Sequence, residues 1–287
     1  MLLIQPLVII PTYDERENIE LLIDAVRRVL PAAHLLIVDD NSPDGTATIV
    51  LDRAKRDTAV HLLQRNRKAG LGTAYLSGFR WALQRSYTHV LQMDADFSHD
   101  PQVLPVMLEK AQEVDLVLGS RWVPSGSAVG WTFYRYLLSR CANYYAQWVL
   151  GVGIRDLTGG FKCFRRATLE ALELEEVEAA NYGFQIETTW RLLQQGLRVA
   201  EIPITFVERQ FGRSKLTGNT ISEAALFVWR LRSGRVRKPL LVDQASDNGE
   251  KSRAVLHRPI LDKHFSFNHL RRAVDRPGWW TTVSFDS

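Results

Sequence analysis

Short apolar runs alternate along this chain with longer stretches in which apolar residues return every three or four positions. "PLVIIPTYDERENIELLIDAVRRVL" predicts a buried strand, a turn and a helix, with Ile19, Leu22, Ile23, Val26 and Leu30 on one helical face. "HLLIVDDNSPDGTATIVLDRAKR" repeats the plan, with its strand at 35–38. "AVHLLQRN" predicts a third strand and "AGLGTAYLSGFRWALQRS" a helix entered through glycines. "THVLQMDADF" predicts a fourth strand followed by a helix from Pro101 to Glu113, and "VDLVLGSR" a fifth strand. Strands that alternate with helices imply an α/β fold with parallel pairing and right-handed crossovers. Continuous apolar strands belong to a sheet covered on both faces. Such sheets bind ligands beyond the carboxyl ends of their strands. That rule sets Thr12 to Glu15, Asp39 to Asn41, Asn66 to Gly72, Asp94 to Asp96 and Ser120-Arg121 along one edge.

The pattern changes at 131–150, "WTFYRYLLSRCANYYAQWVL". Here Trp131, Tyr134, Leu138, Tyr145 and Trp148 are expected to share broad apolar faces beside Arg135 and Arg140. Such a stripe is commonly core. Trp and Tyr next to Arg also describe a helix lying in a bilayer interface. A second amphipathic stretch, 219–232, ends basic. From 233 to 287 the sequence is polar and aperiodic and is expected to be a disordered tail. The start, "MLLIQPLVIIP", is broken by Pro6 and has no basic flank, which argues against a signal peptide. No window reaches the roughly 18 apolar residues of a membrane span.

"VLQMDADFSHDP" places Asp94, Asp96 and Asp100 directly behind an apolar run. Asp, Ser and Pro are ordinary turn residues, so a solvated turn is one reading. The other is a metal site, because Asp94 and Asp96 alternate along the expected strand and can aim the same way. Two carboxylates at a strand's end suit Mg²⁺ or Mn²⁺ that also holds substrate phosphates. Four other polar strand ends on the same edge favour the site.

Composition narrows this further. With 287 residues, 46% hydrophobic and 24% charged, the chain can bury a full core. Two cysteines, Cys141 and Cys163, cannot frame a disulfide fold and point to a reducing compartment. The net charge of +4 is uneven: residues 233–287 hold ten Lys/Arg and six Asp/Glu, and 121–166 hold seven Lys/Arg and one acid, Asp156. Local basic patches imply an anionic partner. No nucleic-acid module is recognisable, so nucleic acid is not expected.

Taken in order, "IIPTYDERENI", "VDDNSPDGTA", "RNRKAGLGTAYLSGF", "MDADFSHDP", "GSRWV", "RDLTGGFKCF", "YGFQIE" and "ERQFGRSKL" resemble family 2 glycosyltransferases of the GT-A fold. The likeness is strongest to the dolichol-phosphate (polyprenol-phosphate) mannose synthases. It covers residues 7 to about 232 and implies a GT-A (Rossmann-like) domain, 1–232, ahead of the 233–287 tail. It implies transfer of mannose from GDP-mannose to a polyprenyl phosphate with inversion. Pro11, Tyr13, Glu15, Asp39 and Asp40 would lie by the nucleotide, and Gly70 and Gly72 would let backbone approach it. Asp94 and Asp96 would hold the metal on the diphosphate, while Gln92 and Ser98 lie close by outside that set. Arg121, Arg135, Arg209, Arg213 and Lys215 would hold the acceptor phosphate, with Asp96, Arg121 and Lys215 catalytic and Glu187 organising the site. The enzyme would sit peripherally on the cytoplasmic face of the membrane, with room for a membrane partner subunit. UDP-glucose or UDP-N-acetylglucosamine as donor, or a non-catalytic nucleotide- or membrane-binding protein, are the alternatives. A processive synthase is disfavoured because no QxxRW motif occurs.

Overall fold

The computed structural model describes residues 4–178, 183–208 and 218–234. Its first half follows the expected alternation: β1 (Pro6–Thr12), α1 (Ile19–Val29), β2 (His34–Asp39), α2 (Thr46–Ala54), β3 (Val60–Gln64), α3 (Leu71–Leu83), β4 (His89–Gln92), α4 (Leu104–Lys110) and β5 (Leu116–Ser120). The helix expected from Pro101 begins as a 3₁₀ turn over Pro101–Val103, where the Asp100 carboxylate accepts from Gln102 N–H. The second half adds β6 (Ser127–Val129), α5 (Phe133–Leu150), β7 (Lys162–Arg165), α6 (Arg166–Ala171), α7 (Gly183–Gln194), β8 (Val199–Pro203), β9 (Thr205–Val207) and α8 (Gly218–Arg232). All the described residues fall within one unit, Met1–Asp243. The expected tail lies outside the described residues, apart from Ser233 and Gly234.

The main sheet runs β3-β2-β1-β4-β7-β5-β8. Every pairing in it is parallel except those of β7, which runs antiparallel to β4 and β5. Strand alternation sends Leu7 and Ile9 to one face and Val8 and Ile10 to the other, all fully buried. Ile19, Leu22, Ile23 and Val26 of α1, with Leu104 and Met107 of α4, cover the Val8 face. Tyr75 and Phe79 of α3, Phe184 and Trp190 of α7, and Val228 and Leu231 of α8 cover the other. Each fully buried side chain of this size contributes roughly 1.5–3 kcal/mol. At Gly78, α3 packs so close to β1 that an added Cβ would lie 2.8 Å from Ile9 Cγ2.

One half-buried polar cluster makes stability depend on pH. His34 Nδ1 lies 3.0 Å from His61 Nε2 and 3.0 Å from the Tyr87 hydroxyl. Burial, then nearby Arg27, lowers the His34 pKa below the ordinary 6.5. Burial, then His34 and Arg85, does the same for His61. Between such lowered values and 6.5 the unfolded chain binds more protons than the folded one. Stability therefore rises with pH through that window and is lost as pH falls below it. The midpoint of thermal unfolding should drop from pH 8 to pH 5, and less so in His61→Gln. An equal drop in both proteins would contradict this.

Helix α5 is capped by Thr132, whose hydroxyl accepts from Arg135 N–H, and ends at Gly151 with φ +69°. Trp131, expected inside the helix, precedes the cap. The expected apolar face divides. Tyr145 packs inward and donates to Ala225 O of α8 at 3.0 Å. Leu138 and Trp131 are half-buried. Phe133, Tyr134, Leu137, Tyr144 and Trp148 are exposed. On α8, Leu226 and Trp229 are exposed as well. Among the described residues, no helix is long and apolar enough to cross a membrane.

Candidate active site

The carboxyl ends of β1 and β2 are stitched together by one buried carboxylate. Asp39, fully buried, accepts from the Thr12 hydroxyl at 2.9 Å, from Ser42 N–H at 3.0 Å and from the Ser42 hydroxyl at 2.6 Å. Asp40 accepts from Arg65 Nη1 at 2.8 Å and from Ala69 N–H at 3.4 Å. Burial pushes its carboxyl above the ordinary range, and Arg65 partly offsets that. Glu15 Oε2 accepts from Asn18 Nδ2 at 2.9 Å, and Glu15 N–H donates to the Thr46 hydroxyl. Lys68 Nζ stands 3.6 Å from the centre of the Tyr13 ring. Tyr13 and Pro11, both half-buried, thus share the edge with the cationic loop 65–68, part of the "RNRKAGLG" motif, to whose Arg65 and Lys68 the sequence reading gave no role. Gly70 enters α3 at φ +99°, a conformation that favours glycine, and Gly72 is buried in the first turn. These two therefore serve the helix entry, and backbone approach to a ligand remains compatible with them.

At the end of β4 the expectation needs one correction. The strand stops at Gln92, so Asp94 and Asp96 do not alternate along it. The ladder ends because Met93 N–H makes a last bond to Ile9 O at 3.1 Å, while Asp94 N–H donates instead to His99 Nδ1 at 3.1 Å. The chain then turns through Phe97 at φ +58°. Both carboxylates are still brought to one place. The Tyr75 hydroxyl donates to Asp94 Oδ1 at 3.3 Å, and Ser98 N–H donates to Asp96 Oδ1 at 3.1 Å. Burial, then the charges of Asp94 and Asp96, raises the Tyr75 hydroxyl well above its ordinary range, so both carboxylates act on one buried ring. His99, with Nδ1 engaged as acceptor, stacks on Phe161 at 4.7 Å between ring centres. Burial lowers its pKa, against the charges of Asp94 and Asp96.

The surroundings suit a divalent ion. Gln92, Ser98 and Gln185 are buried, and their side-chain polar atoms have no hydrogen-bond partner. A Cβ added at Gly160 would lie 3.3 Å from Gln185 Nε2 and 3.9 Å from Asp94 Oδ1, so the glycine keeps the space between them open. Such buried orphans are uncommon and mark a place where a ligand or ion supplies the missing partners. Among the described residues no group of three His, Cys, Asp or Glu could hold a metal. Two carboxylates, with water and substrate oxygens completing the shell, is how Mg²⁺ is commonly bound.

Arg121, at the end of β5, is held differently from the expectation of a free phosphate ligand. It forms a bidentate pair with the fully buried Asp156: Nε to Oδ2 at 2.8 Å and Nη2 to Oδ1 at 2.7 Å. Its backbone N–H donates to the same carboxylate at 3.0 Å, and Nη2 reaches the Thr158 hydroxyl at 2.9 Å. The rings of Trp122, Trp131 and Phe206 lie 5.2–5.5 Å from its guanidinium carbon. Only Nη1 remains without a partner among the described residues. Arg121 also lines a cavity of about 230 Å³ with Trp122, Gly126 and Tyr136. Arg135 pairs with Glu208 and lies 4.4 Å from the Trp131 ring. Arg209, Arg213 and Lys215 lie outside the described residues.

Glu187 is fully buried and accepts from Arg191 Nε at 2.8 Å and from Glu178 N–H at 3.2 Å. It ties the chain before α7 to that helix. Lys162, which the motif reading passed over, is fully buried on β7. Its Nζ donates to Gln185 O at 2.7 Å and to the hydroxyls of Thr188 and Thr189. Burial lowers its pKa well below the lysine range, and the three acceptors pin the start of α7. Its only sequence signal is a lysine inside the apolar run "GFKCF".

A mostly parallel sheet with two aspartates just beyond a central strand matches the GT-A class of glycosyltransferase folds. The chain belongs to glycosyl transferase family 2, whose model matches residues 7–173. It is 46% identical over 79% of its length to polyprenol monophosphomannose synthase of Mycolicibacterium smegmatis, covering 87% of that protein. It is 45% identical over 78% of its length to undecaprenyl-phosphate mannosyltransferase of Micrococcus luteus, covering 92% of it. Solved structures share the fold at low identity. The glucosyl-3-phosphoglycerate synthase of Mycobacterium tuberculosis with Mn²⁺ and UDP has a TM-score of 0.56 at 19% identity, over 82% of this chain and 81% of that one. A mannosyltransferase of Pyrobaculum calidifontis with GDP-mannose and Mn²⁺ has 0.50 at 17%, over 79% and 69%.

Proposed function

We propose that this enzyme moves mannose from GDP-mannose to a polyprenyl phosphate, inverting the anomeric centre. The observation that carries the reading is the identity of 45–46% to two relatives named for mannosyl transfer to polyprenyl lipids. The catalytic domain is taken as residues 1–232. Pro11, Tyr13, Glu15, Asp39 and Asp40 frame the nucleoside, with Lys68 and Arg65 opposite its charge. Asp94 and Asp96 would hold Mg²⁺ or Mn²⁺ where the donor's diphosphate binds. When bound, such an ion stabilises the negative charge that grows on the departing diphosphate.

The chain's own residues then have defined tasks. Gln185 and Gln92 offer unpartnered amides toward the donor. A phosphate monoester has its second pKa near 6, so the acceptor is largely dianionic at neutral pH and attacks without a base. This agrees with an edge whose one histidine among the described residues, His99, is buried with Nδ1 already engaged. Arg121 offers Nη1, and Arg135, Arg209, Arg213 and Lys215 supply further cations around the acceptor. The exposed aromatic line of α5 lets the enzyme rest peripherally on the cytoplasmic face of the membrane, where the lipid tail stays.

Radiolabelled transfer decides it. Purified protein with Mn²⁺ and a short-chain polyprenyl phosphate should label the lipid from GDP-mannose and not from UDP-glucose or UDP-N-acetylglucosamine. Label from a UDP-sugar alone would replace the donor assignment.

A further inference from the structure

We propose that a second anion site, adjoining the cavity beside Arg121 and sharing Trp122 and Arg140 with it, binds the phosphate of an anionic phospholipid headgroup and sets the enzyme on the membrane. The site is a cavity of about 220 Å³ lined by Trp122, Arg140, Asn143, Tyr144, Gln147 and Arg155. Residues 140, 143, 144 and 147 come from one face of α5, at helical spacing. The proposal rests on the reading that the acceptor is a membrane lipid.

Three observations point to an anion. Neither Arg140 nor Arg155 has a carboxylate partner among the described residues. The guanidinium of Arg140 lies 5.1 Å from the Trp122 ring, and Arg155 engages Glu201 only through its backbone N–H at 2.8 Å. The nearby acids are committed elsewhere: Asp156 to Arg121, and Glu201 to the backbone N–H groups of Arg155 and Asp156. The indole N–H of Trp122, a wall of the cavity, is buried without an acceptor. Two cations and an orphan donor in one cavity with no lining acid fit a phosphate.

The membrane as its source follows from position. Tyr144 lines the cavity and also belongs to the exposed α5 line, at 72% exposure beside Trp148 at 69%. Aromatic side chains at a bilayer surface sit at headgroup depth, where lipid phosphates lie. The cavity therefore opens where a headgroup would stand when the aromatic line is inserted. Residues 121–166, which supply its whole lining, carry seven Lys/Arg and one acid.

Arg155 touches this cavity and not the one beside Arg121, so it is the residue to change. The full chain is floated with phosphatidylcholine vesicles with and without phosphatidylglycerol at fixed ionic strength. The wild type should prefer anionic vesicles. Each cation near such a surface is worth enough that Arg155→Gln should lower partition about fivefold and Arg155→Glu about thirtyfold. Arg155→Lys should stay close to wild type. Turnover of GDP-mannose with a short-chain, water-soluble polyprenyl phosphate should be unchanged in all three. Wild-type partition that ignores phosphatidylglycerol, or Arg155→Glu partition equal to wild type, overturns the site. So does a parallel fall of turnover with the soluble acceptor, which would give the cavity to the acceptor instead. Loss of wild-type turnover, by contrast, strikes the proposed reaction and not this site.

Discussion

Asp96→Asn is expected to lower kcat for sugar transfer on the order of a thousandfold, with folding intact. A Lewis acid at a developing phosphate charge supplies several kcal/mol, and about 4 kcal/mol corresponds to that factor. The asparagine keeps an oxygen to accept from Ser98 N–H, so the local turn survives. It removes the negative charge, and with it half of the paired grip on the cation. Asp94→Asn should act alike, because its oxygen can still accept from the Tyr75 hydroxyl. The measurement is kcat at saturating Mn²⁺ alongside the thermal midpoint. Turnover within about threefold of wild type in either variant would remove the aspartates from the mechanism.

Asp156→Ala carries the largest expected stability effect. It strips the Arg121 guanidinium of its bidentate partner while that side chain remains 8% exposed among three aromatic rings. Removing one member of a buried pair costs about 3–5 kcal/mol, because the other charge stays desolvated. For a chain of this size the thermal midpoint should fall by about 10 °C. Arg121→Met combined with Asp156→Leu should cost clearly less than the sum of the single changes, since neither then leaves an unpaired charge. Under the proposed function the same pair holds Arg121 for the acceptor phosphate, so Asp156→Ala should also raise KM for polyprenyl phosphate. A drop below about 2 °C would mean that Arg121 finds another partner or water.

Much of this architecture was legible in the chain. β1 to β5 announce themselves as continuous apolar runs between polar turns, and the edge they define is where Tyr13, Asp39, Asp94 and Arg121 lie. What was hidden depends on contacts distant in sequence. β7 spans four residues and carries a lysine, so no run of apolar residues betrays its antiparallel insertion between β4 and β5. Lys162 is tolerated there because three acceptors meet its nitrogen, although burial lowers its pKa. That Asp156, thirty-five residues on, holds the Arg121 guanidinium is invisible in the local motif. The signal was present, since Asp156 is the one acid in a strongly basic stretch. The alternation assigned to Asp94 and Asp96 failed because the strand ends at Gln92 and His99, five residues on, takes the amide hydrogen of Asp94. Glu208, the partner of Arg135, directly precedes the cations of "RQFGRSK" and had no periodicity to reveal it.

Anomalous diffraction from crystals soaked with Mn²⁺ and GDP addresses the metal assignment most directly. A single strong Mn²⁺ peak within bonding distance of carboxylate oxygens of both Asp94 and Asp96, shared with the diphosphate, is the expected result. A diphosphate bound at the sheet edge with no Mn²⁺ between it and these two residues would contradict the account.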